Sequence, residues 1–196
     1  MQITIQESPF SDFDEMNAIA LNRKLFFGNL VNLTSVNHVI NSCRVLANRR
    51  PKVKKVGIYS RITLKKLETN LSTNLSEDTC QKILRQYIQS IGWHDLQYVV
   101  FLDTSLEKLE FHIVFNRITP KGYLIDLNCI GAKWPQYERL LKAISDITDI
   151  IPNLSSKEFR GKLLEKSLDY KNKNSSLKGK SLRSIFELML NSGVSL

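Results

Sequence analysis

Apolar residues recur along this chain in two rhythms, and the switches between them set the expected elements. Residues 1–6 alternate and predict a first strand, residues 10–21 carry a short helical pattern, and KLFFGNL reads as extended. From Thr34 onward Val36, Val39, Ile40, Cys43 and Leu46 return at helical spacing. That helix should end before Arg50-Pro51, because a proline disfavours helical geometry in the residue ahead of it. VKKVGIYSRITLKKL then changes to period two. Ser76 reads as an N-cap with Glu77 and Asp78 in the first turn, and Ile83, Leu84, Tyr87, Ile88 and Ile91 form one face of a helix closed by Gly92. Strands are expected at 97–102 and 110–117, the second pairing with 123–127 across the turn Thr119-Pro120-Lys121-Gly122. A further helix after Trp134-Pro135 carries Tyr137, Leu140, Leu141, Ile144 and Ile147. Strands, crossover helices and a hairpin together predict a sheet covered by helices. The tail from Ser155 differs: a basic helical stretch, the low-complexity run KNKNSSLKGK, and SLRSIFELMLNSGVSL with helical spacing. The expected division is an α/β domain over 1–152 and a basic helical C-terminal segment over 153–196.

Side chains on a strand alternate sides, so Glu110, His112 and Val114 point one way while Phe111, Ile113 and Phe115 point to the core. By the same rule Tyr59, Arg61 and Thr63 oppose Val56, Ile58, Ser60 and Ile62. The expectation is a sheet with one buried face and one exposed working face. Asp103, ending the preceding strand, can reach the spot shared by Glu110 and His112. Two carboxylates and an imidazole suit a hard or borderline divalent ion, magnesium or manganese, better than a closed zinc site. A half-exposed strand with solvated polar residues and no metal accounts for the same Glu-x-His pattern.

Composition narrows the classes. With 196 residues, 42% of them apolar, the chain can bury the core of one domain. No stretch approaches the roughly 18 apolar residues of a spanning helix, and MQITIQESPF lacks the build of a secretory signal, so a cytoplasmic location without membrane partners is expected. Cys43, Cys80 and Cys129 are odd in number and far apart, which disfavours a disulfide framework. The net charge of +9 is concentrated: Arg44, Arg49, Arg50, Lys52, Lys54, Lys55, Arg61, Lys65 and Lys66 fall in one stretch without an acid. Such a run attracts polyanions, nucleic acid above all, although a solvated basic face has the same composition.

Three stretches carry a resemblance over roughly residues 25–150: INSCRVLANRRPKVKKVGIYSRITL, then IGWHDLQYVV, then EFHIVFNRITPKGYLID. They resemble the relaxase family of plasmid mobilisation proteins, the MobA/VirD2-type nucleases, in which a helix leads to a QYVV-like strand and then to an H-x-H-I-V-V-N-R strand. The resemblance implies an α+β fold with a central, mainly antiparallel sheet flanked by helices. It implies a divalent metal held by histidines against the scissile phosphate, and a tyrosine nucleophile near the N-terminus that nicks an origin of transfer. Carried over by position, the metal ligands fall at Asp103, Glu110 and His112, so only His112 keeps the imidazole. The nucleophile has no counterpart: Phe10 and Phe13 occupy its region, and the first tyrosine is Tyr59, aligned with a histidine of the working face.

Three functions follow from this mixture. The first is a DNA-binding domain of a mobilisation or conjugation system, taking single-stranded or hairpin DNA at an origin of transfer, with nicking lost. Its expected contacts are Arg49, Arg50, Lys52, Lys54, Lys55, Arg61, Thr63, Lys65, Lys66, Asn116 and Arg117, with Tyr59, Trp93 and Trp134 as stacking platforms. The second is a metal-dependent nickase with Tyr59 as displaced nucleophile, or a water, on an Asp-Glu-His site. The third is a protein scaffold that meets other mobilisation or secretion-system proteins through the C-terminal segment.

Overall fold

The computed structural model describes residues 2–65, 75–104, 108–131, 133–148 and 153–154. Lys66 and the tail from residue 155, with the helices expected there, lie outside these described residues. Strand β1 (Gln2–Phe10) leads through α1 (Glu15–Ala20) to β2 (Lys24–Asn29), and α2 (Val36–Ala47) precedes β3 (Gly57–Lys65). Then come α3 (Glu77–Ser90), β4 (Tyr98–Thr104), β5 (Lys108–Asn116), α4 (Trp134–Ile147) and β6 (Asn153–Leu154).

The sheet order is β2-β4-β5-β3-β1-β6, antiparallel except where β6 joins β1 in parallel through Gln2 and Ile3. The α+β architecture of a central, mainly antiparallel sheet with flanking helices is therefore what the chain adopts. Asn153 and Leu154, assigned from sequence to the C-terminal segment, add to the edge of this sheet. Helix α2 is capped by Ser35, which accepts from the His38 N–H, and α3 by Ser76, which accepts from the Thr79 N–H. Gly92 ends the α3 turn at φ +78°, a left-handed backbone that suits glycine.

Both faces of the sheet are covered, which corrects the expectation of one open face. On one side α3 and α4 pack Leu84, Ile88, Leu140 and Ile144 against Ile58, Ile62, Phe111, Ile113 and Phe115. On the other, α1, α2 and the end of β1 bring Phe10, Phe13, Met16, Val39 and Cys43 onto Val99, Phe101 and Val114. The reason is legible in β4: Tyr98 through Leu102 are apolar without alternation, and all five are buried. Phe10 folds over its cross-strand partner Gly57 so closely that a Cβ there would lie 1.9 Å from the ring.

Three local expectations change. Strand β1 runs on to Phe10 because it pairs with β3 along its whole length, leaving only Glu15–Ala20 helical. The strand expected at 123–127 reduces to one bridge, Ile118 with Leu124, because Asp126 caps a 3₁₀ turn at Leu127–Cys129 by accepting from the Asn128 N–H. The turn at 119–122 does form, with the Gly122 N–H donating to the Thr119 carbonyl at 2.8 Å. Trp93 is a core residue, edge-on to Phe115 at 4.9 Å between ring centres, and offers no stacking platform.

Candidate functional site

Strand register assembles the site. In the antiparallel pairs β3–β5 and β5–β4, Thr63, Glu110 and Asp103 form one row across the sheet, Arg61, His112 and Phe101 the next, and Tyr59, Val114 and Val99 a third. Directly paired residues share a side, so the rows pass from polar to apolar along one face. Helices α1 and α2 cover the apolar end, and the cluster sits at the margin of that cover. Single donor atoms of Asp103, Glu110 and His112 all lie within 4.8 Å of one another, so the three predicted ligands do converge.

His112 is only 1% exposed, against the expectation of a solvent-facing imidazole, but it is not packed among hydrocarbon alone. Its Nδ1 lies 2.7 Å from the Tyr59 hydroxyl, and its Nε2 lies 3.8 Å from Glu110 Oε2 without any hydrogen-bond partner. Glu110 accepts from Thr63 at 2.9 Å and from Lys108 Nζ at 3.0 Å. Arg23 brings its Nε to 3.7 Å from Asp103 and donates to the Ile19 carbonyl at the end of α1. Tyr59 stacks beside His112 with 17° between the rings, its hydroxyl on the Nδ1 side and the Glu110 carboxylate on the Nε2 side.

Burial, aided by the nearby Arg23 charge, lowers the His112 pKa from 6.5 to about 4, although Glu110 and Asp103 oppose the change. The imidazole is neutral at physiological pH. Burial also acts to raise Glu110, but the hydrogen bonds from Lys108 and Thr63 outweigh it and hold the carboxyl below its ordinary value. Desolvation raises the Tyr59 phenol, which therefore stays protonated. A stability consequence follows. Between pH 6.5 and about 4 the unfolded chain takes up a proton on residue 112 that the native site refuses. Native stability therefore falls as pH is lowered through that window, by up to about 3 kcal/mol from this residue. Urea midpoints measured from pH 7 to pH 4 should show a drop that is smaller in His112→Gln; an identical drop in the variant excludes His112 as a source.

The proposed DNA contacts divide by location. Lys52, Lys54 and Lys55 are exposed ahead of β3, at the strand end about 20 Å from the Thr63 row. Arg49 and Arg50 grip the neighbouring turn through the Pro120 carbonyl at 2.6 Å and the Gly122 carbonyl at 2.7 Å. Arg117 donates to the Ile125 and Lys55 carbonyls. Asn116 is a correction: it is fully buried, its amide donating to the Cys43 carbonyl and Gln97 Oε1, because it ties β5 to α2 inside the fold. Beside the cluster itself stand Arg61, hydrogen-bonded to Gln6, and exposed Lys65. His38 bonds Ser35 and His94 lies exposed beside Asp95, so neither joins the site.

Sequence reasoning missed Arg23 and Lys108. Arg23 precedes Lys24, whose partner is Leu102, so the register sets it opposite Asp103; a basic residue entering a strand was the available signal. Lys108 lies two residues before Glu110 on the same side of β5, as period two requires. The donor set fits a divalent ion: two carboxylates, plus a buried Nε2 that no protein group satisfies and whose tautomer Tyr59 can fix through Nδ1.

Fold and cluster together make this an α+β domain with a candidate divalent-ion site beside arginine and lysine. More specifically, the model of the relaxases' nuclease domain, MobA/VirD2-like, matches residues 19–149, and the chain belongs to this family. No curated protein and no solved structure matches it.

Proposed function

We propose that this chain is a relaxase-like DNA-binding domain of a plasmid or mobile-element transfer system, taking single-stranded or hairpin DNA at an origin of transfer, with tyrosine-dependent nicking lost. The observation that carries the reading is the fate of the nucleophile. Phe10 and Phe13, in the region where relaxases place it, are buried against each other with ring centres 5.3 Å apart. The Tyr59 hydroxyl is committed to Nδ1 of His112, on the far side of the ring from Glu110. A phenol there orients the imidazole and cannot also stand in line behind a phosphate at the carboxylates.

Asp103, Glu110 and His112 are the residues that would hold magnesium or manganese, which polarises a phosphodiester when bound. Around them Arg61 and Lys65 bear on the phosphates, and the Lys52–Lys55 loop extends the path along the strand direction. A cytoplasmic site of action goes with this reading; among the described residues no helix is long and apolar enough to cross a membrane.

The unpartnered His112 Nε2 favours one alternative, an active metal-dependent nickase using water. Both are tested together. In EDTA, a labelled single-stranded oligonucleotide should bind at low salt; with Mn²⁺, supercoiled plasmid should be neither relaxed nor covalently attached to protein. Relaxation that vanishes in Glu110→Ala and His112→Ala makes the protein an enzyme. Absence of any binding leaves the scaffold reading, whose C-terminal segment lies outside the described residues.

A further inference from the structure

Each carboxylate of the cluster already has a cation of its own: Lys108 Nζ sits 3.0 Å from Glu110 Oε2, and Arg23 Nε sits 3.7 Å from Asp103 Oδ2. The oxygen that Lys108 holds is also the one that lies 3.8 Å from the unpartnered Nε2 of buried His112. An ion held between His112 Nε2 and this Oε2 therefore meets an ammonium already on that oxygen, while Oε1 accepts from Thr63. Register adds a second fact. Lys65 and Lys108 are direct cross-strand partners on the face of the cluster, in the row beyond Thr63, Glu110 and Asp103. Like charges placed opposite each other on a sheet are unfavourable, and an anion between them reverses the sign.

We propose that Lys108 is a built-in counter-ion: it occupies the Glu110 oxygen in the metal-free site and swings to a DNA phosphate, shared with Lys65, when a strand binds. This rests on the DNA-binding reading above. Nothing covalent changes; the ammonium exchanges a carboxylate for a phosphodiester, and the freed oxygen becomes available to a divalent ion. Metal and DNA then bind with positive coupling, and the coupling is the same in both directions. Arg23 makes no such move, because its second nitrogen is anchored on the Ile19 carbonyl. The side chain of Lys108 is about half exposed, so its replacement leaves the core intact.

The test is calorimetric titration of Mn²⁺ into the full chain. Without DNA, Lys108→Ala should bind the ion at least about tenfold more tightly than the natural protein, from the loss of one positive charge within a few ångströms, whereas Lys108→Arg should not. Adding a thymidine oligonucleotide should tighten Mn²⁺ binding to the natural protein and leave Lys108→Ala unchanged. Equal or weaker binding by Lys108→Ala, or no Mn²⁺ binding to either protein, overturns the proposal; Lys108→Met repeats the measurement with the side-chain stem retained. Oligonucleotide binding in EDTA reads the DNA-binding proposal separately, so failure there is distinguishable from failure of the exchange.

Discussion

Raising salt from about 50 to 200 mM should lower the affinity of this protein for single-stranded DNA about a hundredfold. The estimate follows from roughly five phosphates neutralised at a slope near −0.7 per contact on single strands. The candidate contacts are Lys52, Lys54, Lys55, Arg61 and Lys65: the lysines are exposed, and none of the five forms an ion pair with an acid among the described residues. Converting Lys52, Lys54 and Lys55 together to alanine should flatten the log–log slope by about 2, with little change between oligonucleotide sequences, since phosphate contacts position without reading bases. Fluorescence polarisation across a salt series measures both. A slope that the triple substitution leaves untouched removes the basic loop from the interface and the DNA path drawn across this face.

Phe13→Ala should cost about 3–5 kcal/mol of stability, the range for removing a large aromatic from a packed core. The ring is 1% exposed and meets Phe10 edge-on at 84°, beneath α1 and α2 and against the apolar end of the face that carries the cluster. Phe13→Tyr, which returns a phenol to the region of the family nucleophile, should cost about 1–3 kcal/mol, because the new hydroxyl is buried without a partner. It should give no protein–DNA adduct on denaturing gels. A covalent adduct formed by Phe13→Tyr in the presence of Mn²⁺ would show that this region can still reach the phosphate, and the loss of nicking would then trace to one oxygen atom.

The departures from the family pattern share a direction. If Asp103, Glu110 and His112 are the ligands, carboxylates stand where the resemblance places two imidazoles, a set that favours hard ions such as magnesium and manganese. Arg23 and Lys108 then offset the added negative charge.

Local chemistry was enough for the elements whose signals are local. The Ser35 and Ser76 caps, the 3.6-residue stripe of α3, the Gly92 stop and the period-two strand over 57–65 depend on neighbours within one or two turns. The convergence of Asp103, Glu110 and His112 was also legible, since alternation puts the last two on one side and the connection between β4 and β5 is short. Burial of the supposedly open face was not. It depends on Phe10, Phe13 and α2 arriving from elsewhere in the chain, and period two distinguishes the sides of a strand without saying what covers each. Arg23 opposite Asp103, Asn116 inside the fold, and Tyr59 on the far side of the imidazole were likewise decided by long-range pairing. The sequence alone determined which residues carry charge and which can ligate; the tertiary structure decided which are dry, because desolvation and partner choice belong to the packed neighbours of a side chain and not to its place in the chain.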